Sequence, residues 1–470
     1  MKNLLFMKII KILILCLILF LVLYTCKKTH KTEKTFTPVP FPKHLSIEGF
    51  NFPERSSEIY KWLDNQDTTM IVKHAWGLWA GLTEPTKEYY NGQNLLVFET
   101  WMGVEELVNM STQGIIAHEG KTKYKRTPLS VPKQFLHGQL LNNEIKSIDT
   151  NFLVLETVSY NPTAAYFLTK NQLFNKSKLM SYVILDGIGE IKQFPKKAIA
   201  TKPTYYAGVP NKNGLIRLPI WENPKIPKAY KYTEWQKWVY VDINNRQKKD
   251  KKLIPVTSSK PTQSQIKAAT CNINDFINYK IDQIGADYLN SKQDITTEPD
   301  RKFVEGDYVI LVAMHVSTKE IDNWTWQTFF WCPDPSNPPS PSSKFESSLK
   351  PKELKGAASH YALSVAYAMV WPNQPITGGT DKNGRPIISF NPYLEGGFGP
   401  RVFSNKNNFR PNFIYGMQTN CMSCHALATM RGKNSYITDQ YVDMMDTSLF
   451  KNDVKLDFLW SIQGNMDTTK

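Results

Sequence analysis

The chain of 470 residues has little cysteine and histidine, 6 and 8 respectively, and fewer acids than bases, 42 against 57. It lacks the G-x-G-x-x-G fingerprint of dinucleotide binding and the G-x-S-x-G turn that exposes a serine nucleophile, so neither chemistry has a sequence basis. One Cys-x-x-Cys pair is present without a second pair or a His-x-x-x-His, which leaves a tetrahedral zinc site short of half its donors. The apolar run Ile12–Tyr24 is 13 residues long, short of the roughly 17 to 25 that a membrane span needs.

What is present centres on Asn420-Cys421-Met422-Ser423-Cys424-His425. Cys-x-x-Cys-His is the spacing of covalent c-type haem attachment. Two thiols about one helical turn apart form thioethers to the two vinyl groups, and the next imidazole reaches the iron from the same side. Cys421 and Cys424 supply the sulfurs and His425 the iron ligand. With so few cysteines and histidines chance is a poor source of the pattern, and a dithiol redox pair would need a βαβ setting that the flanking residues do not offer. Only one such motif occurs, which argues against a dihaem peroxidase.

The N-terminus reads as an export signal. Lys2, Lys8 and Lys11 precede the apolar run, and Leu23-Tyr24-Thr25-Cys26 resembles a lipobox in its Leu while Tyr and Thr depart from the usual small residues. Cys26 is therefore the expected lipidation site. The alternative is an uncleaved anchor reaching back to Leu4, opposed by Lys27, Lys28, Lys31 and Lys34 on its translocated flank. Either way the chain is expected in the bacterial cell envelope on the periplasmic side, where c-type haem is attached. Removing residues 1–25 takes three lysines and no acid, so a net charge of +15 becomes +12. Outside the cytoplasm such a surface suits an acidic redox partner protein or anionic lipid rather than nucleic acid.

Composition divides the remainder. Residues 1–26 are the signal or anchor and 27–45 a polar tether. Residues 46–130 read as helical with a short strand at Leu95–Trp101, and Ile71, His74, Ala75, Leu78, Trp79 and Leu82 recur at helical spacing behind a cap at Asp67 or Thr68. Residues 131–332 read as β-rich and antiparallel, with strands at Ala198–Tyr206, Leu215–Trp221, Trp238–Ile243, Asp307–Val316 and Asn323–Trp331 and a helix over Pro162–Phe174. Pro- and Ser-rich 333–343 reads as a linker, and 344–470 as the haem-bearing region, with a helix over Ala357–Trp371, turns over Pro372–Pro400 and short helices around the motif. The expected class is α+β. An oxidising compartment would permit a disulfide between Cys271 and Cys332. The aromatics Trp324, Trp326, Phe329, Phe330 and Trp331 fit a sheet core better than a cofactor wall.

The chain resembles a family of large bacterial extracytoplasmic monohaem proteins, the cytochrome c family proteins, over most of residues 50–462. The resemblance is carried by His74-Ala-Trp-Gly-Leu-Trp79, Val97-Phe-Glu-Thr-Trp101, Leu218-Pro-Ile-Trp221, Met314-His315, Trp324-Thr-Trp-Gln-Thr-Phe329, Asn391-Pro-Tyr-Leu-Glu395, Gln418-Thr-Asn-Cys-Met-Ser-Cys-His425 and Asp457-Phe-Leu-Trp460. It implies one covalent haem c and export, and names no substrate.

Only 45 residues follow His425, too few to wrap a haem, so the upstream chain is expected to cover it. Met444, Met445 and Met466 or His315, His360 and His74 are candidates for the sixth iron position, which is otherwise open; among the histidines His315 is favoured, because a strand fixes its direction. For His74, on the apolar face of a helix, the commoner role is a hydrogen-bonded core histidine. Electron transfer is the expected function, with a haem enzyme or ligand-binding protein open at that position as the alternative.

Overall fold

The run Tyr308–Thr318 places eleven consecutive residues, mostly apolar or β-branched, in one strand, and the largest sheet is built around it. The computed structural model describes residues 35–127, 154–223, 235–248, 252–291, 302–371, 385–395, 420–432 and 441–466. In chain order the strands that matter here are β1 (Met102–Gly103), β2 (Val154–Glu156), β3 (Ser159–Tyr160), β4 (Ile199–Ala207), β5 (Leu215–Pro219), β6 (Trp238–Asp242), β7 (Thr270–Asn272), β8 (Asn278–Lys280), β9 (Tyr308–Thr318), β10 (Thr325–Trp331) and β11 (Tyr361–Val365). The eight-stranded sheet runs β11-β10-β9-β4-β3-β1, with β8 also beside β9 and β2 also beside β4. Every pairing in it is antiparallel. A second sheet pairs β5 with β6 antiparallel and β6 with β7 parallel. With the helices around them, these sheets make an α+β protein.

Register sorts the side chains onto two faces. Met314 lies opposite Phe329 and Pro203, and Phe329 opposite Leu363. One residue along, His315 lies opposite Thr328 and Lys202, and Thr328 opposite Ser364. Because side chains alternate along a strand, these two rows point to opposite faces. Met314 is fully buried and His315 is half-buried.

The Met314 face is covered by a 15-residue helix, α1 (Thr68–Leu82). Its start is fixed by Asp67, whose carboxylate accepts the Met70 N–H at 3.1 Å. Trp79 stacks on Phe329 with ring centres 4.3 Å apart, and Trp76 lies 5.8 Å from the same ring. Glycine allows close contact on the other side of the helix. A Cβ on Gly77 would fall 2.0 Å from the Phe50 ring and one on Gly81 2.3 Å from the Phe41 ring.

The strands expected at 198–206, 215–221, 238–243, 307–316 and 323–331 are present within a few residues of those bounds, and the helix expected from Pro162 ends at Lys170. Two expectations need correction. Ala357–Trp371 is not a helix: a 3-10 turn at Gly356–His360 leads into β11, and Val370–Trp371 is a short strand. Tyr361 and Leu363 alternate with Ala362 and Ser364, and pairing with β10 decides the outcome. At Leu95–Trp101 a strand ends at Leu96 and Phe98–Thr100 forms a 3-10 turn, because the Glu99 carboxylate takes the Leu96 N–H at 2.8 Å and Thr100 Oγ1 donates to Val97 O at 2.8 Å.

The disulfide that an oxidising compartment would permit between Cys271 and Cys332 is not formed. Cys271 Sγ lies 3.5 Å from the Tyr240 carbonyl, and Cys332, just beyond β10, remains a separate thiol whose pKa burial pushes up to about 12. From Phe36 onward the chain is one compact unit, and the Pro- and Ser-rich 333–343 stretch lies between adjacent strands β10 and β11 of one sheet. The segment 372–400, expected as turns, is described only over 385–395, where Pro392–Glu395 forms one helical turn.

Candidate functional site

The face opposite α1 carries the motif. Lys202, His315, Thr328 and Ser364 form a polar cross-strand row over four strands. Residues 389–395 lie against that row: Ser389 Oγ is 3.0 Å from Ser364 Oγ, Asn391 Nδ2 donates to Thr328 Oγ1 at 2.6 Å, and Glu395 Oε1 is 2.7 Å from His315 Nε2. His315 Nδ1 is 2.8 Å from Thr328 Oγ1, so both ring nitrogens have side-chain partners. Beside it, Lys202 pairs with Glu156 at 3.0 Å. Trp326 lies two residues from Thr328 on the same face, and its indole meets the His425 ring at 4.4 Å between centres, tilted by 41°.

Cys421–His425 is itself a short helix, α2. Asn420 fixes its start. Its side-chain oxygen accepts from Met422 N at 2.9 Å and Ser423 N at 3.2 Å, while its Nδ2 donates to Ala368 O at 2.8 Å and Ile387 O at 2.9 Å. One buried amide thus both caps the helix and attaches it to the strand region behind. The helical turn puts Cys421 and Cys424 on one side, and both are half-buried thiols outside any disulfide. Burial raises both thiol pKa values, that of Cys424 to about 12, with Glu395 adding to each.

His425 is held from the C-terminal side. Its Nδ1 lies 2.7 Å from the carbonyl oxygen of Phe458, which can only accept, so Nδ1 carries the proton and Nε2 the lone pair. Among the described residues no group hydrogen-bonds Nε2. Burial pushes the His425 pKa down to about 3; the Phe458 carbonyl opposes this, and the charges of His315 and Lys202 reinforce it. At neutral pH the ring is therefore an uncharged imidazole in the tautomer that binds a metal through Nε2. Trp460, in the same C-terminal segment, donates its indole N–H to Cys424 O at 3.2 Å.

No family model, curated protein or solved structure matches this chain. The residues fit a covalent haem on their own chemistry: two thiols outside any disulfide one turn apart, a neutral imidazole with Nδ1 occupied and no described residue hydrogen-bonded to Nε2, and an indole beside the ring. Among the described residues no group of three or more His, Cys, Asp and Glu side chains is arranged to hold a metal ion, so the two cysteines do not belong to a zinc set there.

The other sequence candidates lie in different places. His74 is on α1, behind the opposite face, buried, with Nδ1 2.8 Å from the Tyr367 hydroxyl and Nε2 3.1 Å from Glu320 Oε1, the hydrogen-bonded core role expected for it. His360 precedes β11 and accepts the Cys332 N–H through its carbonyl at 3.3 Å, at the far end of β10 from Trp326. Met444 is buried, Met445 is 57% exposed, and Met466 packs half-buried against the core just after α3 (Trp460–Gln463). Of the five aromatics, Phe329 packs against α1 and Trp331 stacks on Phe276 at 4.2 Å, as sheet-core residues do, while Trp326 meets the motif. Cys26 lies outside the described residues, among which no helix is long and apolar enough to cross a membrane.

Sequence reasoning assigned no role to Asn420, Glu395 or the Phe458 carbonyl. All three lie within short runs already singled out in the sequence, Gln418–His425, Asn391–Glu395 and Asp457–Trp460. That clustering was the available signal.

Proposed function

We propose that this chain is an extracytoplasmic monohaem c-type cytochrome, with haem joined to Cys421 and Cys424 and its iron bound by His425, and that it carries electrons. The observation that supports this most directly is the state of His425, a neutral imidazole whose Nδ1–H is taken by Phe458 O at 2.7 Å beside two unbonded thiols. Bound haem supplies one-electron redox chemistry. The chain's part is to orient the imidazole, exclude water with Trp326 and keep a polar row near the cofactor. The basic surplus fits an acidic redox partner protein, and the N-terminal sequence fits export and tethering to the membrane through lipid on Cys26 or an uncleaved anchor, with the protein on the periplasmic side. The resemblance to cytochrome c family proteins agrees with this reading.

A second reading, a ligand-binding or catalytic haem protein, draws on the His315–Glu395 pair on the same sheet face as the motif. Both groups can move protons or donate hydrogen bonds, which a simple carrier does not require.

The test is to express the full chain with a c-type haem maturation system. Haem should survive acid-acetone extraction and denaturing electrophoresis, and should be lost in Cys421→Ala/Cys424→Ala. Freely extractable haem, or zinc in its place, would sink the proposal. Carbon monoxide then separates the two readings: a ferrous spectrum that it leaves unchanged marks a carrier with two protein ligands, and rapid binding marks an open iron.

A further inference from the structure

The Phe458 carbonyl that holds His425 belongs to a backbone turn with a marked cost. Asp457 has φ +46° and Phe458 φ +68°, two adjacent non-glycine residues in the left-handed region. Such conformations persist where the surroundings over-determine them. Here the constraint is visible. Asp457 Oδ1 pairs with Lys319 Nζ at 2.5 Å, with side chains 2% and 0% exposed, and Asp457 Oδ2 accepts the Phe194 N–H at 3.0 Å. Lys319 also donates to Asp322 O at 2.6 Å and lies 5.6 Å from the centre of the Trp324 ring. Thus both carboxylate oxygens and the ammonium are engaged, and the residue after Asp457 presents its carbonyl to His425.

We propose that Lys319 and Asp457 are positioning residues for the iron ligand: by fixing the turn at 457–458 they hold Phe458 O on His425 Nδ1, and so set the orientation and donor strength of the imidazole. This rests on the covalent-haem reading above. A buried charge pair is a costly way to hold a loop in place, since two apolar residues of similar volume often do so at no loss. Its use here is explained by the need to place one carbonyl within a fraction of an ångström. A firm Nδ1–H···O=C bond makes Nε2 a stronger donor and favours ferric iron. Loosening it should therefore raise the reduction potential.

The experiment uses the full haem-loaded chain and the variants Asp457→Asn and Lys319→Met/Asp457→Asn, the second of which removes both charges together so that neither is left buried alone. Haem stain and absorbance first establish equal loading. Expected in the double variant is a change in the reduction equilibrium on the order of tenfold, about 59 mV upward for one electron, with the iron–histidine stretch of the ferrous five-coordinate form, prepared by photolysis of its carbon monoxide adduct if necessary, moved to lower frequency. Asp457→Asn should shift both in the same direction by less. An unchanged potential and stretch in a fully loaded double variant, even with a lower melting temperature, would reduce the pair to a structural contact. If the parent chain carries no covalent haem, the functional reading fails separately; nitrogen NMR of His425 in the haem-free chain still reads the pair, which must hold a single Nδ1–H tautomer in the parent and lose it in the double variant. A tautomer unchanged by the double substitution would also overturn the proposal.

Discussion

Trp326 and His425 face each other at 4.4 Å between ring centres, although they lie 99 residues apart in the chain. The indole N–H is spent on the Asn323 carbonyl at 2.9 Å, so the ring offers His425 an apolar face held in a fixed plane. That contact brings the motif onto the sheet and sets the dielectric around its imidazole.

Replacing Trp326 by Ala should cost about 3 to 5 kcal/mol of stability through lost burial and the cavity left behind. It should also admit water to His425. Urea unfolding followed by circular dichroism gives the first quantity, and quenching or solvent-exchange rates at the site the second. Trp326→Phe should recover most of the stability, and equal unfolding midpoints for Ala and the parent would mean that the indole does not seat the motif.

Asn420→Ala removes a helix cap and leaves two buried carbonyls, Ala368 O and Ile387 O, without its amide. The expected loss is about 2 to 4 kcal/mol. Asn420→Ser keeps a capping oxygen but cannot reach both carbonyls, and should fall between the two. Melting curves of the three proteins at one pH would check the order.

Stability should decline from acid toward neutral pH through Glu99. Burial pushes this carboxyl up to about 7, more strongly than the Leu96 N–H and Arg126 pull it down, and its Oε1 has no hydrogen-bond partner among the described residues. In the unfolded chain it ionises near its ordinary value of about 4.3. The folded state therefore holds the proton longer, and its contribution is complete below about 4.3 and is lost as the pH rises through about 7. Glu99→Gln, which cannot ionise, should flatten the fall between pH 5 and 8 in a series of denaturant titrations. An unaltered slope would show that other groups carry it.

A fragment of residues 344–470 should not fold as the whole chain does. It would keep β11 but lose β10, whose residues 327–331 pair with residues 361–365, and lose Trp326 from beside His425. The expected result is a broad or absent melting transition by circular dichroism, against a cooperative one for the full chain. A fragment that melts at the parent temperature would show two independent folding units.

Tyr308–Thr318 is legible as a near-continuous run of apolar and β-branched residues, and α1 through a period near four over Ile71–Leu82. The Asp67 cap is equally local. Ala357–Trp371 was misread because its small residues are tolerated in a helix and its strand exists only through pairing with β10. At the site, the spacing of Cys421, Cys424 and His425 is local and therefore legible. The Phe458 carbonyl, the Trp326 indole and the amide of Asn420 act across the fold on backbone atoms or rings, and such contacts leave no periodic trace. Lys319 is the extreme case: no spacing in the sequence marks it, and the structure buries it completely.

Lys319 and Glu320 are neighbours in the chain, yet they fasten opposite layers, Glu320 to His74 at a separation of 246 residues and Lys319 to Asp457 at 138. Along the chain the first fastening has both its partners once residue 320 is reached, whereas the second needs residue 457. The sheet and its α1 layer can therefore assemble while Cys421 and Cys424 are still on free chain. Once Asp457 reaches Lys319, the thiols and the imidazole are drawn against the sheet. On the covalent-haem proposal, attachment to those thiols belongs before the Lys319–Asp457 contact closes, because that contact lies on the C-terminal side of the motif.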